Sequence, residues 1–600
     1  DVGQHAKALA LKEQTLALVK AKLGEHHPDT LSSMHNLAIS YGDVGQHAKA
    51  LVLNEQTLAL MKTKLGEDHP NTLSGMHNLA ISYGDVAQHT QAFVLIPVYQ
   101  RGVEKYRTQA GISNEQKQSI FAEYSDRYQY WASQYATHNE LTKGFDIGDQ
   151  SKARTLADNI KTQSALRSLP AGEQAKLQEA EAEAKVVYVR LEALAGNGQT
   201  QPQALLQAQK DLQAANTAHA VLSKQLVAKY PKYAQLQEIK ATSVAEAPRL
   251  LRGGDAFVSY LVQQDGTAQV FVLKADGPIR WKELGKFKNL AATVKSSRSL
   301  ATQQFGQGDR LALLKDGGYQ WLKKDETLPE GAEVIAKTAD EALRTLNKYW
   351  HQALIAPLLP LVGDARRWII SPDKDLALLP FDTLPLALDE AGNTTEMLVQ
   401  SHTSTLVQSF SVFALLKERE AQHAKLKRAK PMFAMGNAVY GPGWDTQQGM
   451  QRGRGQSAFR SADTDALRGV NDSARMMREG ERYLMRDLRW QNLPGTAVEV
   501  EAAKSAFEAQ GGADVLVGPK ASEATLQSLN DTGKLKDYQY LLFSAHGYLA
   551  QNPELSALVL SQQDNPDGTD GYVTAAEWPL YDINSDLTVL SACDTGVGKT

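Results

Sequence analysis

The stretch YQYLLFSAHG, residues 538–547, is an apolar run that ends in a histidine and a glycine. A second stretch, DLTVLSACDTG at 586–596, has the same form and delivers Cys593, the only cysteine of the chain. Short apolar runs of this kind are typical of buried strands. Because ligands of open α/β sheets bind beyond the carboxyl ends of the strands, two parallel neighbours would place His546 and Cys593 at the same crevice.

The sequence around these two runs predicts more of the same sheet. Short apolar stretches lie within 366–386, 430–437 and 513–518, and helical patterns at 496–510 and 522–531 separate some of them. Strands that alternate with helices predict a largely parallel sheet wrapped by helices, an α/β fold.

The start of this α/β domain is marked by a change of period at about residue 245. AFVSYLV at 256–262 and AQVFVLKA at 268–275 flank QQDGT as the strands of a hairpin flank its turn. Within the domain, residues 440–465 are rich in Gly, Gln and Arg and predict a long mobile loop. A solvated insertion explains its arginines better than a phosphate site does.

The N-terminus is an internal repeat. Residues 1–42 return at 43–84 with seven substitutions, and DVAQHTQAF at 85–93 begins a third copy. Apolar residues recur at helical spacing within each copy, and Pro28 and Pro70 stand where a second helix would start. A period of this length predicts stacked helix pairs over 1–93, an all-α solenoid whose concave surface binds a protein or peptide.

The region between, residues 94–244, keeps the helical pattern. Its long polar and apolar runs at 173–195 and 204–230 predict two long helices joined by a flexible turn at GNGQTQPQ. We expect this region to extend the repeats or to link them to the α/β domain.

Composition restricts the setting and the partners. The net charge is −4 with both signs mixed, so no field gathers nucleic acid or an anionic membrane. No run of apolar residues is long enough to span a bilayer, and one cysteine forms no internal disulfide, which favours a reducing cytoplasm. The chain begins inside a repeat and stops seven residues after Cys593, so we expect it to be part of a longer protein.

Several histidines of the repeats raise the question of a metal site. Their spacing gives no compact ligand set within one repeat, and the repetition alone accounts for their number. We therefore expect structural or surface roles and no metal for His26, His27, His35, His69 and His77.

Three interpretations of Cys593 are open. A thiol is only partly ionised at neutral pH, and a neighbouring imidazole such as His546 lowers its pKa and moves its proton, while the Gly547 N–H can hold a developing oxyanion. Cysteine is also among the most buried residue types, so packing is the plain alternative. Finally, CDTGVGKT, which contains Lys599, imitates a phosphate-binding loop, but Cys593 stands where that loop needs its first glycine.

Two resemblances become specific at this point. The loop LGEHHPDT and the helix motif NLAISY resemble the long tetratricopeptide repeat of kinesin light chains, over about 93 residues. LLRGGDAFVSYLV, WIISPDKDLALLPFDTLPL, YLLFSAHG and LTVLSACDTGVGK together resemble the CHAT domain, a bacterial caspase- and separase-related peptidase domain that accompanies such repeats, over 245–600. The second resemblance implies His546 as general base, Cys593 as nucleophile and Gly547 at the oxyanion; Asp594 is a weaker candidate for a basic substrate residue, with a structural hydrogen bond preferred.

The sequence thus predicts a cytoplasmic cysteine endopeptidase that is recruited or regulated through its repeats. Its partners would be a protein or peptide on the repeat surface and a protein substrate, with no nucleic acid, membrane, metal or organic cofactor. The alternative is a non-proteolytic scaffold in which the repeats bind partners and the caspase-like domain is inactive.

Overall fold

The computed structural model describes residues 2–107, 114–152, 202–230, 242–301, 306–423, 428–441, 490–548 and 556–592, the last with short gaps, and scattered positions between 165 and 187, at 233 and at 425–426. These form two compact units. The first contains residues 1–185, 213–286 and 357–365, and the second contains 186–212, 287–356 and 366–600. Within the described part of the chain, every helix is too short or too polar to cross a bilayer.

The first unit begins with antiparallel helix pairs, as the repeat predicts. Consecutive helices contact one another along the chain. Their bounds are α1 Val2–Leu23, α2 Pro28–Asp43, α3 His47–Leu65, α4 Pro70–Asp85, α5 His89–Arg107, α6 Asn114–Thr137 and α7 Leu141–Gln150. The predicted all-α repeat region is therefore confirmed, and the third copy continues it as α5.

Repeat histidines cap two of these helices. The Nδ1 atoms of His27 and His69 accept from the backbone N–H groups two residues ahead, at 3.2 Å in each case. Proline follows each histidine at the first helical position, where its missing N–H costs little. Pro28 and Pro70 thus start the second helix of their repeats, as predicted.

A difference between the second and third copies of the repeat places alanine where the backbone favours glycine. Gly45 adopts φ +77° after α2, and Ala87, at the same place after α4, adopts φ +60°. A Cβ at Gly45 would meet nothing within 4 Å, so the difference is purely conformational.

We expect Ala87→Gly to stabilise the α4–α5 junction by about 1 kcal/mol, and Gly45→Ala to destabilise the α2–α3 junction by a similar amount. Native-state hydrogen exchange of the full chain measures the local opening free energy at each junction. Shifts of the same sign in the two reciprocal variants would contradict this account.

The remainder of the first unit contains the predicted hairpin. β1 Asp255–Val262 pairs antiparallel with β2 Thr267–Lys274, which pairs with β3 Arg280–Lys286. Gly144 lets α7 approach α6 closely, because a Cβ there would lie 2.9 Å from the Ala132 carbonyl oxygen. A long helix, α8 Pro202–Lys229, of which residues 213–229 belong to this unit and residues 202–212 to the second, confirms the second of the two long helices predicted between repeats and sheet.

The second unit carries most of the mixed α/β structure. Its further helices are α9 Leu290–Ala301, α10 Ala339–Trp350, α11 Ala356–Val362 (all but its first residue in the first unit), α12 Phe410–His423, α13 Pro494–Ala506 and α14 Glu523–Asp531. Its strands are β4 Arg310–Leu313, β5 Tyr319–Leu322, β6 Glu333–Ala336, β7 Arg367–Ser371, β8 Pro385–Leu388, β9 Thr394–Met397, β10 Thr403–Leu406, β11 Lys430–Ala438, β12 Ala513–Gly518, β13 Tyr538–Ser544, β14 His546–Tyr548, β15 Ala557–Val559, β16 Tyr572–Thr574 and β17 Leu587–Ser591.

A four-stranded parallel sheet, in the order β12-β11-β13-β17, organises the candidate site. One of its cores joins Phe433, Leu541 and Phe543 with residues of the β15–β16 region. Helix α13 packs closely on β11, since a Cβ at Gly436 would lie 2.9 Å from the Thr496 carbonyl oxygen. The predicted mostly parallel sheet and its flanking helices are confirmed.

Several sequence predictions fall where the structure gives no description. These are the first long helix apart from scattered positions up to residue 187, residues 196–201 of its turn, the loop of 440–465 beyond its first two residues, and the chain from Cys593 to Thr600. The domain boundaries at 93 and 244 stay predictions.

Candidate active site

The carboxyl ends of β13 and β17 lie side by side. The two strands are parallel neighbours in a register that pairs Phe543 with Leu590 and Ser544 with Ser591. The Ala545 N–H donates to the Ser591 carbonyl oxygen at 3.2 Å, so the pairing continues one residue beyond β13. His546 is the next residue on the first strand, and the described chain on the second ends at Ala592, one residue before Cys593.

One hydrogen bond sets the tautomer of His546. Its Nε2 lies 2.7 Å from the carbonyl oxygen of Gln491. A carbonyl oxygen only accepts, so Nε2 carries the proton of the neutral ring and Nδ1 keeps its lone pair. Nδ1 is therefore the nitrogen of His546 that can take a proton from a nucleophile.

Two aromatic rings pack against the His546 imidazole. The Tyr440 ring meets it edge-on at 4.8 Å between centroids, and the Trp490 ring lies at 4.9 Å with an interplanar angle of 38°. This burial lowers the pKa of His546 below its usual 6.5, although the hydrogen bond to Gln491 acts in the opposite direction. The ring is thus kept neutral, and so able to act as a base, near neutral pH.

The Tyr440 hydroxyl stands between two strands beside the histidine. It donates to the Val559 carbonyl oxygen at 2.6 Å and accepts from the backbone N–H of His546 at 3.3 Å. This hydroxyl replaces a direct rung of the β14–β15 ladder, because His546 is the register partner of Val559. Trp490 is fixed separately, by donation of its Nε1–H to the Tyr572 hydroxyl at 2.9 Å.

The backbone N–H of Gly547 points away from β15. On the other edge of β15, the Leu560 N–H donates to Gly571 at 2.8 Å, and the Ser556 carbonyl accepts from Ala575 at 2.7 Å. Along a strand, the backbone N–H and C=O groups of successive residues point to opposite sides, so those of Leu558, like those at 556 and 560, point to β16. Leu558 therefore makes no backbone hydrogen bond with Gly547, its register partner in β14. Among the strands described, β14 is the edge of its sheet, so this N–H lies on the side of β14 away from β15, next to His546, and Gly547 itself is buried.

Sequence reasoning missed the residues that hold His546. Tyr440 fell at the start of the segment predicted as a mobile loop, and Trp490 and Gln491 follow 442–489, which lies outside the described residues. Their only sequence signal is the pair of aromatic residues that bracket a long stretch poor in aliphatic residues. The structure places both next to the predicted base.

The repeat histidines have structural contacts. Nδ1 of His77 accepts from the Trp131 Nε1–H at 3.1 Å in a buried cluster, and Nε2 of His35 lies 3.1 Å from the Asn78 amide nitrogen. Across the ranges that the structure describes, no group of three or more His, Cys, Asp or Glu side chains is arranged to hold a metal ion. Burial and hydrogen bonding therefore account for His35 and His77, as capping does for His27 and His69.

Comparisons with known proteins agree with this architecture. The model of the CHAT domain matches residues 342–600, and a tetratricopeptide repeat model matches residues 1–63. The chain therefore carries tetratricopeptide repeats at its N-terminus and a CHAT domain, of a caspase-like, peptidase-related family, after the helical region.

Solved structures similar to this chain include the nearly identical tetratricopeptide-like repeats of a Podosopora anserina protein described as a kinesin light chain. The match has 21% identity and a TM-score of 0.19, and it covers 39% of this chain and 88% of that one. A variant of the same protein matches at 21% identity and a TM-score of 0.19, with 40% and 90% covered. No curated protein matches the sequence.

Proposed function

We propose that this protein is a cysteine endopeptidase of the caspase and separase type, with Cys593 as nucleophile, His546 as general base and Gly547 at the oxyanion. The observation that carries the proposal is the parallel pairing of Ser544 with Ser591. His546 and Cys593 each follow their paired serine by two residues of sequence, and the carboxyl ends of parallel neighbours meet at one edge of a sheet.

The geometry of His546 supplies the chemistry that the proposal needs. Nδ1 takes the thiol proton as the Cys593 sulfur attacks a peptide carbonyl, and the resulting imidazolium gives that proton to the leaving amine. Water then releases the acyl enzyme, with Nδ1 as base again. The Gly547 N–H, which points away from β15, donates to the oxyanion of each tetrahedral intermediate.

The repeats give this activity a partner. Tetratricopeptide repeats generally mediate protein–protein interactions, and we propose that residues 1–93 bind a protein or peptide that recruits a substrate or regulates the domain of residues 245–600 through the helical region 94–244. We further propose a bacterial, cytoplasmic protein that needs no metal or organic cofactor and binds neither nucleic acid nor membrane. A scaffold with an inactive caspase-like domain is the second candidate.

Reaction of Cys593 with a peptide electrophile separates the two candidates. Because the chain has a single cysteine, intact mass reports its modification without ambiguity. We expect an acyloxymethyl ketone peptide to label the wild type, His546→Ala to label far more slowly and Cys593→Ala not to label. A wild type as inert as both variants, even with its partner protein present, would show the domain to be a scaffold.

A further inference from the structure

The segment that carries the Gln491 carbonyl is held by side-chain bonds to the end of β11 and the residues after it. The Asn492 amide makes two of them: its Oδ1 accepts from the Tyr440 N–H at 3.2 Å, and its Nδ2 donates to the Gly441 carbonyl at 3.3 Å. These two contacts imitate a rung of a strand ladder. They join residues 440 and 441, just before the undescribed residues 442–489, to residue 492, just after them.

A second side chain, that of Thr496, fixes the same segment where α13 begins. The Thr496 hydroxyl accepts from the Asn437 N–H at 2.8 Å and itself donates to the Leu493 carbonyl at 2.6 Å. Residue 496 is therefore anchored to the end of β11, and residue 492 to the chain that follows it. Gln491 itself is an exposed residue, and anchored side chains flank it on both sides: Trp490, which donates to the Tyr572 hydroxyl, and Asn492, whose N–H belongs to the same peptide group as the Gln491 carbonyl.

We propose that Asn492 is a positioning residue for the candidate dyad: its amide clamps the Gln491 peptide so that the carbonyl of residue 491 holds His546 in the Nε2–H tautomer. This inference rests on the proposed function. It concerns a residue that touches neither the reacting atoms nor the substrate, and it gives the chain beside Gly441 a role in the reactivity of Cys593.

The consequence has a definite sign. The hydrogen bond from the His546 Nε2–H to a carbonyl oxygen stabilises the imidazolium more than the neutral ring, because the charged ring is the stronger donor. An imidazolium next to a thiol stabilises the thiolate and lowers the pKa of the thiol. Loss of the clamp lets the carbonyl move away, so the pH at which Cys593 becomes reactive is expected to rise toward the ordinary cysteine value.

The test is the pH profile of alkylation of Cys593 in the full chain by iodoacetamide, which needs no knowledge of the substrate. We expect Asn492→Ala to raise the pH midpoint of alkylation and to slow the reaction at pH 6.5 about tenfold, the loss expected for one hydrogen bond to a charged group. Thr496→Val keeps the shape of its side chain but removes the other anchor, and it should shift the midpoint in the same direction by less. Asn393→Ala, which removes the bond from the Asn393 amide nitrogen to Asp389 in the exposed β8–β9 turn, is the matched control and should behave as wild type.

His546→Ala separates failure of this inference from failure of the dyad. If His546→Ala raises the midpoint but Asn492→Ala matches the wild type, the dyad stands and the clamp is overturned. If His546→Ala itself matches the wild type, the proposed function fails. A slower Asn492→Ala with an unchanged midpoint also overturns the clamp, because a purely structural defect leaves the ionisation of the thiol alone.

Discussion

Peptide cleavage is expected to fall by about 10²- to 10⁴-fold when His546 is replaced by alanine, the range typical of losing a general acid–base group. The His546 Nε2–H donates to Gln491, so Nδ1 is the base, and alanine provides no substitute. Burial lowers the pKa of His546, so the neutral ring persists somewhat below pH 6.5 and wild-type cleavage should persist there too. The measurement is hydrolysis of a fluorogenic peptide that the wild type is found to cleave, followed between pH 5 and 8.

His402→Ala is the matched control for this experiment. The His402 ring also packs on a tryptophan, Trp368, at 5.0 Å, and burial also lowers its pKa, but it stands before β10, which pairs with β7 and is not a strand of the sheet that ends at His546. We expect His402→Ala to retain wild-type cleavage. Equal losses in the two variants would mean that His546→Ala acts through folding and not through proton transfer.

The parallel sheet was accessible from sequence because burial on both faces forces long apolar runs on its central strands. β11 and β13 are such runs, and their neighbours were identified from shorter ones. Strand order was not accessible, because each run specifies its burial but not which neighbour it pairs with. That β11 lies between β12 and β13 depends on contacts such as those of Gly436 with α13.

The candidate site divides in the same way. His546 and Cys593 can be identified in the sequence because a reactive side chain follows each apolar run. Gly547 can be identified because a residue without a side chain directly follows the predicted base. The Gln491 carbonyl is a main-chain group, which any residue would provide, so no residue type marks its position. Asn492 acts through a bond to Tyr440, which is 52 residues away, and the Tyr440 hydroxyl acts through a bond to His546, which is 106 residues away. A single sequence does not show that these segments meet.

The second large effect is a loss of stability of the tetratricopeptide repeats at acidic pH, caused by His77. His77 is 8% exposed and packs among Tyr99, Tyr130 and Trp131. Its Nδ1 accepts from Trp131, so protonation of that nitrogen would set two donors against each other. Burial first, then the charge of Arg127, lowers the pKa of His77 to about 3, and the neutral ring is the native form.

The stability of the repeats should therefore decrease as the pH falls. The unfolded chain binds a proton at His77 near pH 6.5 and the folded chain only near pH 3, so this contribution is complete above 6.5 and is lost progressively below it. By pH 5 the loss is about 2 kcal/mol, from 1.36 kcal/mol per pH unit. His77→Gln keeps an acceptor for Trp131 but does not titrate in this range, so it should flatten the dependence of stability on pH.

Hydrogen exchange of amides in α4 and α6 of the full chain, corrected for intrinsic rates, measures the opening free energy of the wild type and of His77→Gln at pH 7 and pH 5. If they lose the same stability, His77 does not cause the acid sensitivity and some other group of the repeats must titrate.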